Sequence, residues 1–518
     1  MKLLPRLLAE EDEEVEAPEP EEPQNALVRP HWAWTPAIAA LAAAPRLLYL
    51  FVFTDPENPG VRRYGDVWHH WQIAYLTKEI GLGAPDGPRL WDLKGLDYFW
   101  GILHPVMMVA IFDVTGSIDI VLNRLVSLAF GVLVVLLVFH ICRRHWGTHV
   151  AMGAALIASF LPTSVMNDAS GMLEPLGVAL CLAGLVAWPR HGLWSGLALG
   201  LATMARAEAW IFGLGMVVAA FFKKDGWQQR IPLVAGFAAV MLLYVKVLAD
   251  KTGNPIYPLW WNFFANAVGR WEFTPVSASQ ASVRPVLGAL LAMAVAGLAW
   301  SLLRRPPSYM FLSFGFGYWV FVAGMLGFTS YLASWVWWMP ITRVFAFPYV
   351  FAGALLAAVA LWWAPRRFGP RVLPVGWSVV AVALLASQLA WIPIQQVFGP
   401  SEAEWLAIKA ESVQLGAWYS TPPYAGHSLA VPEDRPDVTY AMARFGGVEG
   451  KHLISEMYAP ARPDACWFAK TDVRIVAVDA AHSAMLEDNP SWFTHIGTMG
   501  EAHWEVYGVN SPPCDAAA

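Results

Sequence analysis

DIVLNRLVSLAFGVLVVLLVFHI, residues 119–141, reads as one membrane span, and Arg143-Arg144 follows it almost at once. The run meets the roughly 20 mostly apolar residues that crossing about 30 Å of hydrocarbon requires. Working outward from it, similar runs lie near 33–53, 148–165, 171–188, 192–206, 208–222, 231–249, 285–303, 308–328, 342–364 and 372–395, which makes eleven expected spans. The composition agrees. Of 518 residues, 57% are hydrophobic and 14% charged, with mean hydropathy +0.44, whereas an average soluble domain carries about 25% charged residues.

Lys and Arg in short loops set the sides. Arg143 and Arg144 follow the second span, Arg190 the fourth, and Lys223, Lys224 and Arg230 the sixth. Arg304 and Arg305 follow the eighth, and Arg366, Arg367 and Arg371 the tenth. A basic loop after every even-numbered span predicts a cytoplasmic N-terminus and an extracytoplasmic C-terminus. Three long segments then fall outside: Thr54–Ile118, Asp250–Arg284 and the tail from Gln396.

The formal charge of −6 is local: Glu10–Glu22 holds nine acids and no base, and without them the chain stands at +3. With its prolines, this segment reads as a disordered cytoplasmic tail over 1–32. Met1–Leu8 is too short an apolar run for a secretory signal, so Ala33–Phe53 is expected to be a retained span. The basic residues are spread as topology signals rather than gathered in a patch, which argues against nucleic acid.

Residues 396–518 read as a small α/β domain. Ala403–Trp418 has helical apolar spacing, and His427–Val431, Val473–Val478 and Trp504–Val509 have strand patterns. Cys142 and Cys181 fall in or beside spans; Cys466 and Cys514 fall outside, where an oxidising compartment permits a bridge, the alternative being two free thiols.

The most informative stretch of the first outer loop is Tyr64-Gly65-Asp66-Val67-Trp68-His69-His70-Trp71-Gln72-Ile73-Ala74-Tyr75-Leu76. His69, Ile73, Leu76 and Ile80 recur at helical spacing, predicting an amphipathic helix on the membrane surface. Asp66 opens it, with His69 and His70 on its face. Asp66 reads either as an N-cap or as a carboxylate able to take a proton from an acceptor hydroxyl. Arg206 and Glu208 meet between two apolar segments, where ionisable groups face a partner or a cavity; they read as an Arg–Glu pair or as a phosphate contact.

After Asp66 come Tyr98-Phe99-Trp100-Gly101-Ile102-Leu103-His104-Pro105, Asn123-Arg124-Leu125-Val126-Ser127, Arg143-Arg144-His145-Trp146-Gly147, Leu161-Pro162, Glu174-Pro175-Leu176 and Ala205-Arg206-Ala207-Glu208-Ala209. Over roughly residues 33–365 this ordered series resembles the GT-C superfamily of polytopic glycosyltransferases, which includes protein O-mannosyltransferases and polyprenyl-phosphate-dependent mannosyl- and arabinosyltransferases. The resemblance implies a transferase that moves a sugar from a polyprenyl-phosphate donor to a glycan, lipid or protein hydroxyl on the outer face, with inversion.

By the same resemblance, Asp66 stands at the family's catalytic base. A second acid often stands beside that base, but Gly65 and Val67 flank Asp66 here, which leaves orientation of the acceptor to His69 or His70. Glu174 or Asp168 matches the acid of the second outer loop. Arg343, at the outer start of the tenth span, matches the arginine set against the lipid phosphate, for which a guanidinium fork is suited; Arg206 or Lys246 would assist, and Arg46 is a weaker candidate of the same kind. The loop holding Tyr257, Trp260 and Trp261 resembles the one that covers the donor, although interfacial aromatics are also ordinary belt residues. No Asp-x-Asp occurs near Asp66, so no obligatory metal and no cofactor are expected. The competing classes are a transporter or lipid flippase, which would carry inverted repeats and broken midplane helices, and a membrane scaffold.

Overall fold

The computed structural model describes residues 31–60, 66–81, 100–188, 190–221, 227–260, 346–398, 401–432, 435–455, 463–479 and 484–514. The expected eighth and ninth spans, Arg343 and Trp261 lie outside the described residues.

The membrane part is helical. It comprises α1 (His31–Leu48, continuing as a π-helical turn to Phe53), α2 (Asp66–Ile80), α3 (Leu103–Thr115), α4 (Ile120–Trp146), α5 (Thr148–Phe160), α6 (Pro162–Ser170), α7 (Glu174–Ala187), α8 (Gly192–Ala205), α9 (Glu208–Phe221), α10 (Trp227–Thr252), α11 (Ala346–Ala358), α12 (Leu373–Ser387) and α13 (Trp391–Phe398). Among the described residues, four helical stretches are long and apolar enough to cross a membrane by themselves: Trp34–Phe53, Ile120–Trp146, Trp227–Thr252 and Pro370–Ala390. The 148–165 segment, expected as one continuous span, is instead two helices bent by 58°. The break falls at Leu161-Pro162, because proline cannot continue the hydrogen-bond ladder and pushes the residue before it to extended backbone. All nine residues of α6 are buried.

Small residues bring the helices together. Gly192, Gly196 and Gly200 recur every fourth residue along α8 and face α10. A Cβ on Gly200 would lie 2.6 Å from Val240 Cβ, and one on Gly236 of α10 would lie 2.5 Å from Leu193 O. Close backbone approach of this kind is how helices pack where lipid competes for apolar side chains.

The C-terminal part comprises α14 (Glu402–Tyr419), β1 (Ser428–Val431), α15 (Pro436–Arg444), β2 (Leu453–Ser455), α16 (Ala465–Thr471), β3 (Val473–Val478), β4 (Phe493–Met499) and β5 (Trp504–Val509). The sheet order is β2-β1-β3-β5-β4. β1 runs parallel to β2 and β3, and β5 runs antiparallel to β3 and β4. From Ile475 onward alternation along β3 divides the core: Val476 and Val478 pack with Phe468 and Met485, while Ile475 and Ala477 face α14 and α15. Cys466 and Cys514 are bridged, with Cα atoms 4.6 Å apart, tying α16 to the chain beyond β5.

α2 departs from expectation. Residues Val67, Trp68 and His70 through Thr77 are all buried, so it is a buried helix rather than an amphipathic one lying on a membrane surface. The reason is its second apolar face. Trp68 and Trp71 pack on Trp405 of α14 and Tyr440 of α15, more than 300 residues away in sequence.

Candidate active site

The site is assembled where α2, α3 and the α6–α7 and α8–α9 turns meet. Asp66 heads α2. The next residue, Val67, packs on the α6–α7 turn, where a Cβ added to Gly171 would lie 3.3 Å from Val67 Cγ1. The start of α2 thus rests three residues from Glu174, which opens α7 and is buried.

Glu174 meets Arg206, with Oε1 3.4 Å from Nη1. The structure brings Arg206 to Glu174 across helices; the side chain of Glu208, its expected partner in an Arg–Glu pair, lies outside the described residues. The cause is local. Arg206 has extended backbone, φ −150°, at the end of α8, and its stem lies over Gly177 of α7, where a Cβ would come within 3.0 Å of Arg206 Cγ. Gly177 is one turn from Glu174, so the guanidinium is delivered to that carboxylate.

The other wall is aromatic. His70 lies edge-on to Trp100 with ring centroids 4.9 Å apart, and 6.0 Å from the His104 ring. His69 reaches the same Trp100 at 5.7 Å. His104 stands in the first turn of α3, one residue ahead of Pro105. Gly101, with φ +105°, lets this turn abut the end of α8, since a Cβ there would fall 3.0 Å from Ala205 O. Tyr257 joins through the same tryptophan: it is buried with Trp210, Tyr244 and Leu248, and Trp100 packs against that group.

The imidazoles are neutral. Burial pushes His69 down to about 3 and His104 down to about 4. His70 is held well below the ordinary range by burial first, then by the charges of His104, Arg206 and His69. His70 Nε2 and both ring nitrogens of His104 are buried with no hydrogen-bond partner among the described residues. Buried polar atoms without partners are costly and are hydrogen-bonding positions open to a bound molecule. The burial also sets a pH dependence. Each imidazole titrates near 6.5 once unfolded, so below that pH the unfolded chain binds protons preferentially and stability falls, until at about 4 His104 itself protonates in place. His104→Phe is expected to flatten the melting-temperature profile between pH 7 and 4. An unchanged profile would place His104 in contact with water.

Asp168 and Arg46 stand behind Glu174. Arg46 Nη2 and Nε lie 2.6 and 2.7 Å from Asp168 Oδ2. Arg46 also donates to the carbonyls of Ala42, Ser159 and Ala158 at 2.8, 3.1 and 3.3 Å. Asp168 fits because Gly131 of α4 leaves it room: a Cβ there would collide with the carboxylate. This pair joins α1, α5 and α6, so Arg46 serves as a strut. Lys246 forms an exposed pair with Asp250 at 2.8 Å.

Sequence reasoning assigned no role to Trp100, His104 or Arg124. Arg124, fully buried, donates to Ala169 O at 2.8 Å, Asp55 O at 2.7 Å, Pro56 O at 2.9 Å and Thr54 Oγ1 at 2.8 Å. Its signal was an ionisable residue inside a span; that of His104 was a histidine beside a helix-opening proline. Among the described residues no group of three or more metal-ligating side chains forms.

Residues 101–249 match the model of the family described as dolichyl-phosphate-mannose-protein mannosyltransferase. That stretch contains His104, Arg124, Asp168, Glu174 and Arg206. A search of curated proteins finds no match. Among solved structures, ArnT from Cupriavidus metallidurans bound to undecaprenyl phosphate is 16% identical with TM-score 0.50, covering 93% of this chain and 100% of that one. The Archaeoglobus fulgidus oligosaccharyltransferase tethered to an acceptor peptide is 12% identical with TM-score 0.50, covering 86% of this chain and 69% of that one. The chain is therefore a membrane protein that shares its fold with these two proteins and is similar over residues 101–249 to the dolichyl-phosphate-mannose-protein mannosyltransferases.

Proposed function

We propose that the protein transfers a sugar from a polyprenyl-phosphate donor to an acceptor hydroxyl on the extracytoplasmic face, with inversion. The observation that carries this reading is the convergence of Glu174, Arg206, His70 and His104 on one junction, beside the start of the helix that Asp66 heads and largely inside the segment that matches the mannosyltransferase family. Asp66 takes the proton of the acceptor hydroxyl as its oxygen attacks the anomeric carbon. The bond from that carbon to the phosphate oxygen breaks, and the lipid phosphate leaves with the electron pair. Arg343 and Arg206 hold its growing charge, Arg206 being oriented by Glu174. Neutral imidazoles at His70 and His104 offer hydrogen bonds to sugar or acceptor hydroxyls without competing for the proton. Tyr257 backs the wall through Trp100. Asp168 acts at one remove, fixing α6 through Arg46. In this reading the protein has eleven spans, a cytoplasmic N-terminus, an extracytoplasmic C-terminal domain over 396–518 and no obligatory metal. The transporter alternative finds no support in the family match.

Binding of the leaving lipid tests the phosphate contacts. Charge-assisted hydrogen bonds contribute about 1.5–3 kcal/mol each, so Arg343→Gln and Arg206→Gln are each expected to weaken binding of undecaprenyl phosphate in detergent roughly tenfold or more. Binding unchanged in both variants would remove the arginines from that role.

A further inference from the structure

We infer that the C-terminal domain is a positioning element of the transfer reaction: it grips helix α2 and so sets the place of Asp66, which heads that helix. This rests on the transferase reading for its consequence in catalysis, but the grip itself stands on contacts.

α2 is held on two sides. Towards the membrane part it carries His70, which faces Trp100 and His104. Towards the C-terminal part it carries Trp68, Trp71 and Tyr75. The Trp68 ring lies 5.1 Å from Trp405 and 5.1 Å from Tyr440. Trp71 meets Tyr440 edge-on at 4.8 Å and stacks on Tyr75 at 4.7 Å. Gly450 donates its backbone N–H to Tyr75 Oη at 2.8 Å, and a Cβ at Gly450 would fall 2.8 Å from the Tyr75 ring. Trp68, Trp71 and Trp405 are fully buried. These rings belong to a core shared by α2, α3, α14, α15, β1, β3 and β5.

The segment leading to Asp66 is gripped as well. Lys409 of α14 binds Glu57 at 2.8 Å, and Arg444 of α15 lies 3.8 Å from Glu57 and 3.8 Å from Asp119. The Tyr440 hydroxyl donates to Asp119 Oδ1 at 3.4 Å. Arg124 holds the carbonyls of Asp55 and Pro56 from the membrane side. Residues 55–57 are thus pinned between an arginine in the spans and a lysine in the C-terminal domain, ending nine residues before the base. Shared aromatic burial on this scale makes the domain and the helix one packed unit, and displacement of a reacting group by about 1 Å costs on the order of 10²-fold in rate.

Trp405→Ala removes the largest ring of the socket, and Trp405→Phe restores an aromatic. Phe468→Leu is the control: it alters the same domain on the opposite face of the sheet, away from α2. In the full-length protein in lipid, Trp405→Ala is expected to speed amide hydrogen exchange over 66–80 and to lower kcat at least tenfold, with KM for the lipid donor within twofold of wild type. Trp405→Phe should recover most of both, and Phe468→Leu should change neither. Unchanged exchange over 66–80 in a folded Trp405→Ala protein would overturn the inference, as would an equal loss in Phe468→Leu. Exchange is read without any activity: a wild type that transfers no sugar fails the transferase reading, while faster exchange in Trp405→Ala still upholds the grip.

Discussion

Asp66→Asn is expected to lower sugar transfer by about 10²–10⁴-fold, the usual contribution of a positioned general base, while leaving the melting temperature unchanged. The substitution separates the two readings of this residue. Asn is as good as Asp at a helix start, so a residue whose task is to begin α2 tolerates it in both stability and activity. A base does not, because the amide cannot accept the hydroxyl proton. The isosteric change also leaves the Val67 contact with the α6–α7 turn in place. The measurement is initial transfer rate together with thermal unfolding. Loss of rate in a protein that melts like wild type assigns the base. Full activity would move the proton to another acceptor, and Glu174 would be the next to replace.

The second large effect is on stability. Arg46→Met is expected to destabilise the protein by about 3–5 kcal/mol, because removing one partner of a buried ion pair leaves the other charge uncompensated. Asp168 is buried and has its carboxylate against both Arg46 nitrogens. Three carbonyl bonds from the same guanidinium, to Ala42, Ser159 and Ala158, are lost too. Arg46→Met/Asp168→Asn removes both charges and should recover part of the loss, since a pair replaced together leaves no lone buried charge. Unfolding midpoints in mixed micelles check this. An Arg46→Met protein as stable as wild type would show that water or lipid headgroups reach Asp168.

The membrane class and the positions of several apolar helices were legible because hydropathy is a local property: α1, α4 and α7 through α10 fall within a few residues of the expected runs. Strands β3 and β5 were expected at the residues they occupy, and α14 within one residue, since their alternation and helical spacing are likewise local. β2 and β4 escaped notice for different reasons. β2 has three residues, too few for a period, and β4 places exposed Thr494 and His495 side by side with a register shift after them. The site was half legible. Asp66, Glu174 and Arg206 were singled out, but the contact of Arg206 with Glu174 was not, because it depends on Gly177 letting the arginine stem lie over α7. The burial of α2 was not legible because it depends on Trp405 and Tyr440, whose approach to Trp68 is a tertiary event. His104 had no role until the α3 turn was seen beside His70.

The most direct measurement is transfer itself: purified full-length protein in lipid, offered a panel of radiolabelled polyprenyl-phosphate sugars with membrane extract as the source of acceptors. The account predicts that at least one donor loses its label to a product while free polyprenyl phosphate appears in equal amount. Donors that all stay intact, in the presence of extract that supplies acceptors, would contradict it.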